Sequence, residues 1–166
     1  IIHIEDKWHQ AEIVRKAVPE AVPDTIILPQ ARDRQHMMTT LQARFPKGFI
    51  IKKRTGTSRG KGIILDEQLA GSAKKGVKIG DSKGATSVAD KDLRELMKNP
   101  GDYIVQERLK LDAEFRVHVI DGKVVPGATS WRYGPRSAGG MEARRAAEAL
   151  AARVSKSTPG YRKALF

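Results

Sequence analysis

The stretch Tyr103–Arg132, YIVQERLKLDAEFRVHVIDGKVVPGATSWR, decides the reading of this chain. It sets Glu107, Glu114, Arg116 and Arg132 on what reads as successive short strands. The first is Tyr103-Ile104-Val105, ending at Gln106-Glu107. The second alternates Phe115, Val117 and Val119 against Glu114, Arg116 and His118, and runs on to Ile120. Asp121-Gly122 is a strong two-residue hairpin signal before Lys123-Val124-Val125. Alternation places Glu114, Arg116 and His118 on one face and the apolar residues on the other. A plain solvated face has the same pattern, because antiparallel sheets commonly leave one side wet. A row of charges on strands also suits a nucleotide.

A second segment favours the ligand. Gly48-Phe49-Ile50-Ile51-Lys52-Lys53 reads as an apolar strand ending in two lysines, followed by the basic, glycine-rich run Arg54 to Gly62 and the apolar Ile63-Ile64-Leu65. Glycines let the backbone approach an anion, and exposed amides with the Thr57 and Ser58 hydroxyls donate to it. Lys52 supplies a point charge for a phosphate. Lys53 is the alternative, since one slip of register exchanges the two faces of a strand. The loop is not a Walker A motif: the GxxxxGK[ST] spacing is absent and a strand follows it, not a helix.

Taken together and in this order, these segments resemble the ATP-grasp family of carboxylate–amine ligases, over most of the chain. The pattern runs from a lysine near the domain start, Lys7 in Glu5-Asp6-Lys7, through a helix and the proline-containing approach Val22-Pro23-Asp24-Thr25. Lys52 and the loop Gly56 to Gly62 come next, then Gln106-Glu107-Arg108-Leu109 and Glu114-Phe115-Arg116. The resemblance implies an α+β fold in which two small α+β subdomains with antiparallel strands enclose the nucleotide site. Residues about 20–102 would be the smaller subdomain with its glycine-rich loop, and about 103–166 the start of the larger C-terminal one.

The resemblance also implies roles. Lys7 and Lys52 would hold ATP phosphates, with Gly56, Ser58, Gly60 and Gly62 in the loop over them. Glu107 would accept from the adenine amino group, beside Gln106, while the backbone of Arg108 to Lys110, Leu109 included, reads the ring edge. Glu114 would accept from the ribose hydroxyls. Arg116 and Arg132 would be the catalytic pair, facing the phosphates or the acyl phosphate, where a planar fork of donors fits an anion. The implied reaction passes the γ-phosphate of ATP to a substrate carboxylate and lets an amine displace it, with Mg2+ bridging phosphate oxygens. The family's metal ligands, a strand acid and a later Glu-x-Asn, do not appear before Phe166, and no metal ligand is assigned. The expectation is the central piece of a longer ligase, inactive alone, in which substrate identity is set elsewhere.

Composition bounds the rest. The 166 residues suffice for one core, mostly aliphatic given four Phe, three Tyr and two Trp. The absence of cysteine excludes disulfides, thiolate catalysis and Cys-type zinc sites. No apolar run approaches the ~18 residues of a membrane span. Ile1-Ile2-His3-Ile4-Glu5-Asp6 lacks the basic region of a signal peptide, so the expected location is cytoplasmic. The net charge of +12 exceeds what a phosphate site needs. It predicts solubility and nonspecific attraction, or more sharply an acidic peptide or nucleic-acid-associated substrate, as for ribosomal-protein glutamate ligases within the family. The four histidines are scattered without metal-ligand spacing.

Four helices are expected. Trp8–Val18 comes first and Asp33–Phe45 second, with Met37, Met38, Leu41 and Phe45 inward. Ser87–Asn99 is third, with Ser87 as N-cap and Asp90 completing a capping box. Met141–Val154 is fourth, its Met and Leu positions read as packing, after a loop from Pro135 to Gly140. The alternative function is a noncatalytic basic RNA-binding module, which explains the charge but lacks aromatics interleaved with the lysines for stacking. Its binding should collapse with salt more steeply than competition by free ATP.

Overall fold

The computed structural model describes residues 6–56, 63–71, 78–79, 82–83, 87–134 and 136–158. They divide into two units, residues 6–8 with 23–108 and residues 9–22 with 109–158. The expected Ser58, Gly60 and Gly62 lie outside the described residues.

In the first unit the chain opens with the start of α1 (Lys7–Ala17), where Asp6 Oδ1 accepts from the Trp8 amide at 2.9 Å. Three residues form β1 (Thr25–Ile27), and α2 (Arg34–Arg44) follows. Asp33 caps α2, accepting from the His36 amide at 2.7 Å. Then come β2 (Phe49–Lys53), β3 (Ile64–Leu65), the one-turn α3 (Asp66–Ala70), the short pair β4 (Lys78–Ile79) and β5 (Ser82–Lys83), α4 (Asp90–Lys98) and β6 (Tyr103–Glu107). Gly71, at φ +76, ends α3 in the left-handed conformation.

β1, β6, β2 and β3 form one sheet in that order, with every pairing antiparallel. The strand expected to open the second subdomain, Tyr103–Glu107, is therefore a central strand here, and the chain leaves the unit at Arg108. One face of the sheet carries Phe49, Ile51, Tyr103 and Val105, packed with Met37, Met38, Leu41, Phe45, Leu69 and Leu96 in a single buried cluster. The inward positions expected for the second helix are all buried. The third helix is shorter than expected: it starts at Asp90 after Ala89, with no side-chain cap. Val88 is buried and its amide donates to Gln68 O at 3.2 Å, which ties residues 87–88 to α3 and keeps Ser87 out of the capping position.

The second unit holds the rest of α1 and, after residue 108, β7 (Glu114–Arg116), β8 (Val119–Ile120), β9 (Lys123–Val124), β10 (Ser130–Tyr133) and α5 (Ala138–Ser157). The Asp121-Gly122 turn forms as expected: φ values of +48 and +75 give the turn that joins Val119↔Val124 and Ile120↔Lys123. The single strand expected from Glu114 to Ile120 is broken in two. The β8–β9 ladder cannot extend beyond Val125, because Pro126 has no N–H and Gly127, at φ +74, turns the chain. β7 pairs instead with β10, through Arg116↔Ser130, Phe115↔Trp131 and Glu114↔Tyr133, with a bulge at Arg132. α5 begins three residues before the expected Met141, so residues 138–140 are helical rather than loop. Met141 and Leu150, read from sequence as packing positions, are 41% and 37% exposed. No helix among the described residues is long and apolar enough to cross a membrane.

Candidate anion site on the sheet

Residues directly opposite one another in an antiparallel pair share a face, so the register assigns each polar side chain to a side of the sheet. Lys53 lies opposite Tyr103 on the helix-packed face, with its Nζ 5.8 Å from the Tyr103 ring centre. Glu107 lies opposite Phe49, on that same face. Lys52 and Gln106 belong to the other face with Thr25, one step apart along the diagonal between β2 and β6. The register thus selects Lys52 over Lys53 as the lysine that shares its face with the strand-end glutamine.

Lys52 Nζ donates to Gln106 Oε1 at 2.6 Å. Gln106 Nε2 in turn donates to Thr25 Oγ1 at 3.1 Å, and Thr25 Oγ1 donates to Pro23 O at 2.7 Å. Burial, and after it the charge of Lys7, holds the Lys52 ammonium below the ordinary lysine range. The structure therefore brings Lys7 and Lys52 close enough for their charges to be felt. A partly desolvated ammonium near a like charge costs free energy that an anion beside it would return.

What places Lys7 there was not read from the sequence. Arg54, just beyond β2, pairs with the Asp6 carboxylate through Nε at 3.2 Å and also through Nη2. Its carbonyl accepts from the Lys7 amide at 2.9 Å and from Lys7 Nζ at 3.4 Å. Arg54 also donates to Gly101 O at 3.0 Å through Nη1, and its amide to Asp102 O at 2.9 Å. The Asp6 hydrogen bond is the first reason its guanidinium is held above its ordinary range. One arginine thus ties the start of α1 to the end of the strand that bears Lys52. The sequence signal was an acid beside Lys7 and an arginine beside Lys53, with nothing to say that they meet.

Arg108 has a structural engagement of its own. Its amide donates to Gly48 O at 3.0 Å, and Nη1 donates to Glu67 Oε1 at 2.7 Å and Asp66 Oδ1 at 3.2 Å. The Glu107 amide is likewise taken, by Asp24 O at 2.8 Å. Gly56 sits at φ +73 just past β2.

The second unit carries Leu109, Glu114, Arg116 and Arg132. Leu109 is exposed. Glu114 and Arg116 project from β7 and Arg132 from the bulge of β10, all three exposed, while Phe115 and Trp131 meet edge-to-face at 4.8 Å. Glu114 and Arg116 also line a groove of about 450 Å³ whose other walls are apolar: Val14, and the α5 stripe of Ala147, Leu150, Ala151 and Val154. Leu150, one of the exposed large apolar residues, lines this groove.

No protein-family model matches the chain. No curated protein matches it in sequence. The similarity is structural. N5-carboxyaminoimidazole synthetase from Staphylococcus aureus, solved in complex with ADP, superposes over 93% of this chain and 38% of its own, with a TM-score of 0.53 at 16% identity. N5-carboxyaminoimidazole ribonucleotide synthetase from Thermotoga maritima gives 0.52 at 18% identity, over 93% of this chain and 34% of its own. D-cycloserine synthetase DcsG gives 0.50 at 13% identity, over 98% and 54%. The chain has the ATP-grasp fold.

The chain spans little more than a third of the length of the two synthetases. Within the ATP-grasp fold, the α+β class and antiparallel sheets expected from sequence are present. Lys7, Lys52, Gln106, Glu107 and Arg108 fall in one unit, and Leu109, Glu114, Arg116 and Arg132 in the other.

Proposed function

We propose that this chain is the ATP-binding part of an ATP-dependent ligase that activates a carboxylate as an acyl phosphate and joins it to an amine. The observation that carries the reading is Lys52, held by Gln106 on one sheet face and within reach of the charge of Lys7, in a fold shared with synthetases whose structures hold ADP. A partly desolvated ammonium with a second lysine charge near it fits the oxygens of a polyphosphate. Lys7 and Lys52 hold the phosphates in this reading, and the backbone about Gly56, Ser58, Gly60 and Gly62 closes over them. The adenine amino group meets Gln106-Glu107. Because the Arg108 amide is committed to Gly48 O, the ring edge falls to the backbone of Leu109 and Lys110. Glu114 accepts from the ribose hydroxyls, and Arg116 and Arg132 stabilise charge on the transferring phosphoryl group and the acyl phosphate.

Magnesium, which the reaction class calls for, has no ligand assigned. Among the described residues no three His, Cys, Asp or Glu side chains converge as a metal site. The substrate is a carboxylate plus an amine, with an acidic peptide or protein as the sharper expectation from the +12 charge, and the setting is cytoplasmic.

Calorimetric titration with ATP and magnesium tests the reading. Micromolar to millimolar binding, weakened in Lys52→Ala, is the expected result. Absence of binding by the folded chain would refute it. A second reading, a basic RNA-binding module, has one observation in its favour: the Phe115–Trp131 pair sits on a ribbon flanked by the exposed Arg116 and Arg132. RNA affinity falling steeply with salt, with no competition by ATP, would select it.

A further inference from the structure

Gln106 is an uncharged neighbour of Lys52, and its surroundings fix the direction of its hydrogen bonds. A hydroxyl has one proton. Thr25 Oγ1 spends it on Pro23 O, which has no proton to give back, at 2.7 Å. Toward Gln106 the hydroxyl therefore acts as an acceptor, and only the Nε2 end of the amide donates. The Oε1 end is then turned toward Lys52, where it accepts from Nζ at 2.6 Å. Thr25 is 2% exposed and stands opposite Gln106 in the register, so the bond that sets this orientation is shielded from water. The chain of bonds fixes one direction of the Lys52 ammonium and leaves two of its three N–H donors for a ligand.

We propose that Gln106, oriented by Thr25, is a positioning residue that holds Lys52 on the sheet face without cancelling its charge. The inference rests on reading Lys7 and Lys52 as an anion site. A carboxylate at this place would make a stronger bond to Lys52, but would offset one of the two positive charges the anion needs. An amide supplies the hydrogen bond and no net charge, so Lys52 keeps its own charge for phosphate. Gln106 has its oxygen on Lys52 and an amide hydrogen on Thr25, so its side chain holds the lysine.

The test uses near-isosteric substitutions and two readouts. Inorganic tripolyphosphate is titrated calorimetrically into the wild-type chain and into Gln106→Glu, Thr25→Val and Thr25→Ser, with circular dichroism confirming the fold of each. The Lys52 ammonium is titrated by NMR of ε-13C-labelled lysine, assigned with Lys52→Met. Gln106→Glu should weaken tripolyphosphate about tenfold or more and move the Lys52 titration to higher pH, because the bond is kept and the charge cancelled. Thr25→Val should weaken binding several-fold, about 3- to 10-fold for one lost neutral hydrogen bond in the chain, and Thr25→Ser should restore it. Tripolyphosphate affinity unchanged in Gln106→Glu, or Thr25→Ser no better than Thr25→Val, overturns the proposal. Should Gln106→Glu fail to fold, the Thr25 pair decides alone. If the wild-type chain binds no tripolyphosphate, the anion-site reading fails separately. An unmoved Lys52 titration in Gln106→Glu would then overturn the holding role as well.

Discussion

Lys52→Met removes the charge while keeping most of the aliphatic stem, and two effects of opposite sign follow from the surroundings of Lys52. In the free protein the ammonium is partly desolvated and repelled by Lys7, so its loss relieves a cost. The same change leaves Gln106 Oε1 without the donor now at 2.6 Å, a loss of about 1 kcal/mol that water at this half-buried position replaces in part. The two terms offset, and the thermal midpoint should move by no more than about 3 °C, as expected for a change within ~1 kcal/mol in a chain of this size. Binding has no such offset. A charged hydrogen bond to phosphate contributes about 1.5–3 kcal/mol, which is about 10- to 140-fold in Kd. Lys53→Met is the control: Lys53 lies one residue away on the opposite face, over the Tyr103 ring, and should change affinity less than about twofold beyond general screening. Calorimetry with ATP on the three proteins reads both numbers. Equal losses in Lys52→Met and Lys53→Met, or no loss in a folded Lys52→Met, would refute the assignment of the site to the Lys52 face.

Other consequences can be checked alongside. Because the folded Lys52 ammonium is held below 10.5, the unfolded chain binds more protons between the lowered value and 10.5. Stability measured by urea unfolding should therefore rise with pH across that window, phosphate affinity should fall across it, and Lys52→Met should abolish the rise. Gly48→Ala should destabilise by about 1–3 kcal/mol, roughly 2–12 °C in thermal midpoint. Gly48 has φ +104, and an added Cβ would sit 2.9 Å from Asp66 Oδ2, a carboxylate held by Arg108; an unchanged midpoint would contradict that geometry. Leu41→Ala, at a fully buried position of the α2 face, should cost about 2–5 kcal/mol by chemical denaturation. A cost below 1 kcal/mol would mean that α2 does not hold the sheet as described.

Local signals were legible in the sequence, and long-range pairings were not. α2 could be read because its cap and its inward spacing are set within one helix: Asp33 caps it, and Met37, Met38, Leu41 and Phe45 all bury. The Asp121-Gly122 turn is equally local. The start of α4 failed because a distant carbonyl, Gln68 O, captures the Val88 amide, and nothing near Ser87 announces it. The strand from Glu114 failed for a related reason. Alternation through Val117 and Val119 is continuous, but a strand lasts only as long as its partner, and Pro126 ends the partner. Of the candidate site, Lys7 and Lys52 could be proposed from residue type and order, while the Asp6–Arg54 tie that brings them together spans 48 residues and leaves no local trace.

The two ambiguities in the site have one solution. Lys52-Lys53 and Gln106-Glu107 are both adjacent pairs, and a strand can show only one of each to a given face. Sequence alone permits four combinations. The register Phe49↔Glu107, Ile50↔Gln106, Ile51↔Val105 reduces them to two, Lys52 with Gln106 or Lys53 with Glu107. The second combination is on the side where Phe49, Ile51, Tyr103 and Val105 meet the helices, and Lys53 there lies over Tyr103. The first is on the other face, where burial and the charge of Lys7 both act on Lys52. An anion site needs cations whose charge is neither paired nor fully hydrated, and only Lys52 with Gln106 meets that condition. A carboxylate in the place of Gln106 would have formed an ordinary cross-strand ion pair and removed it.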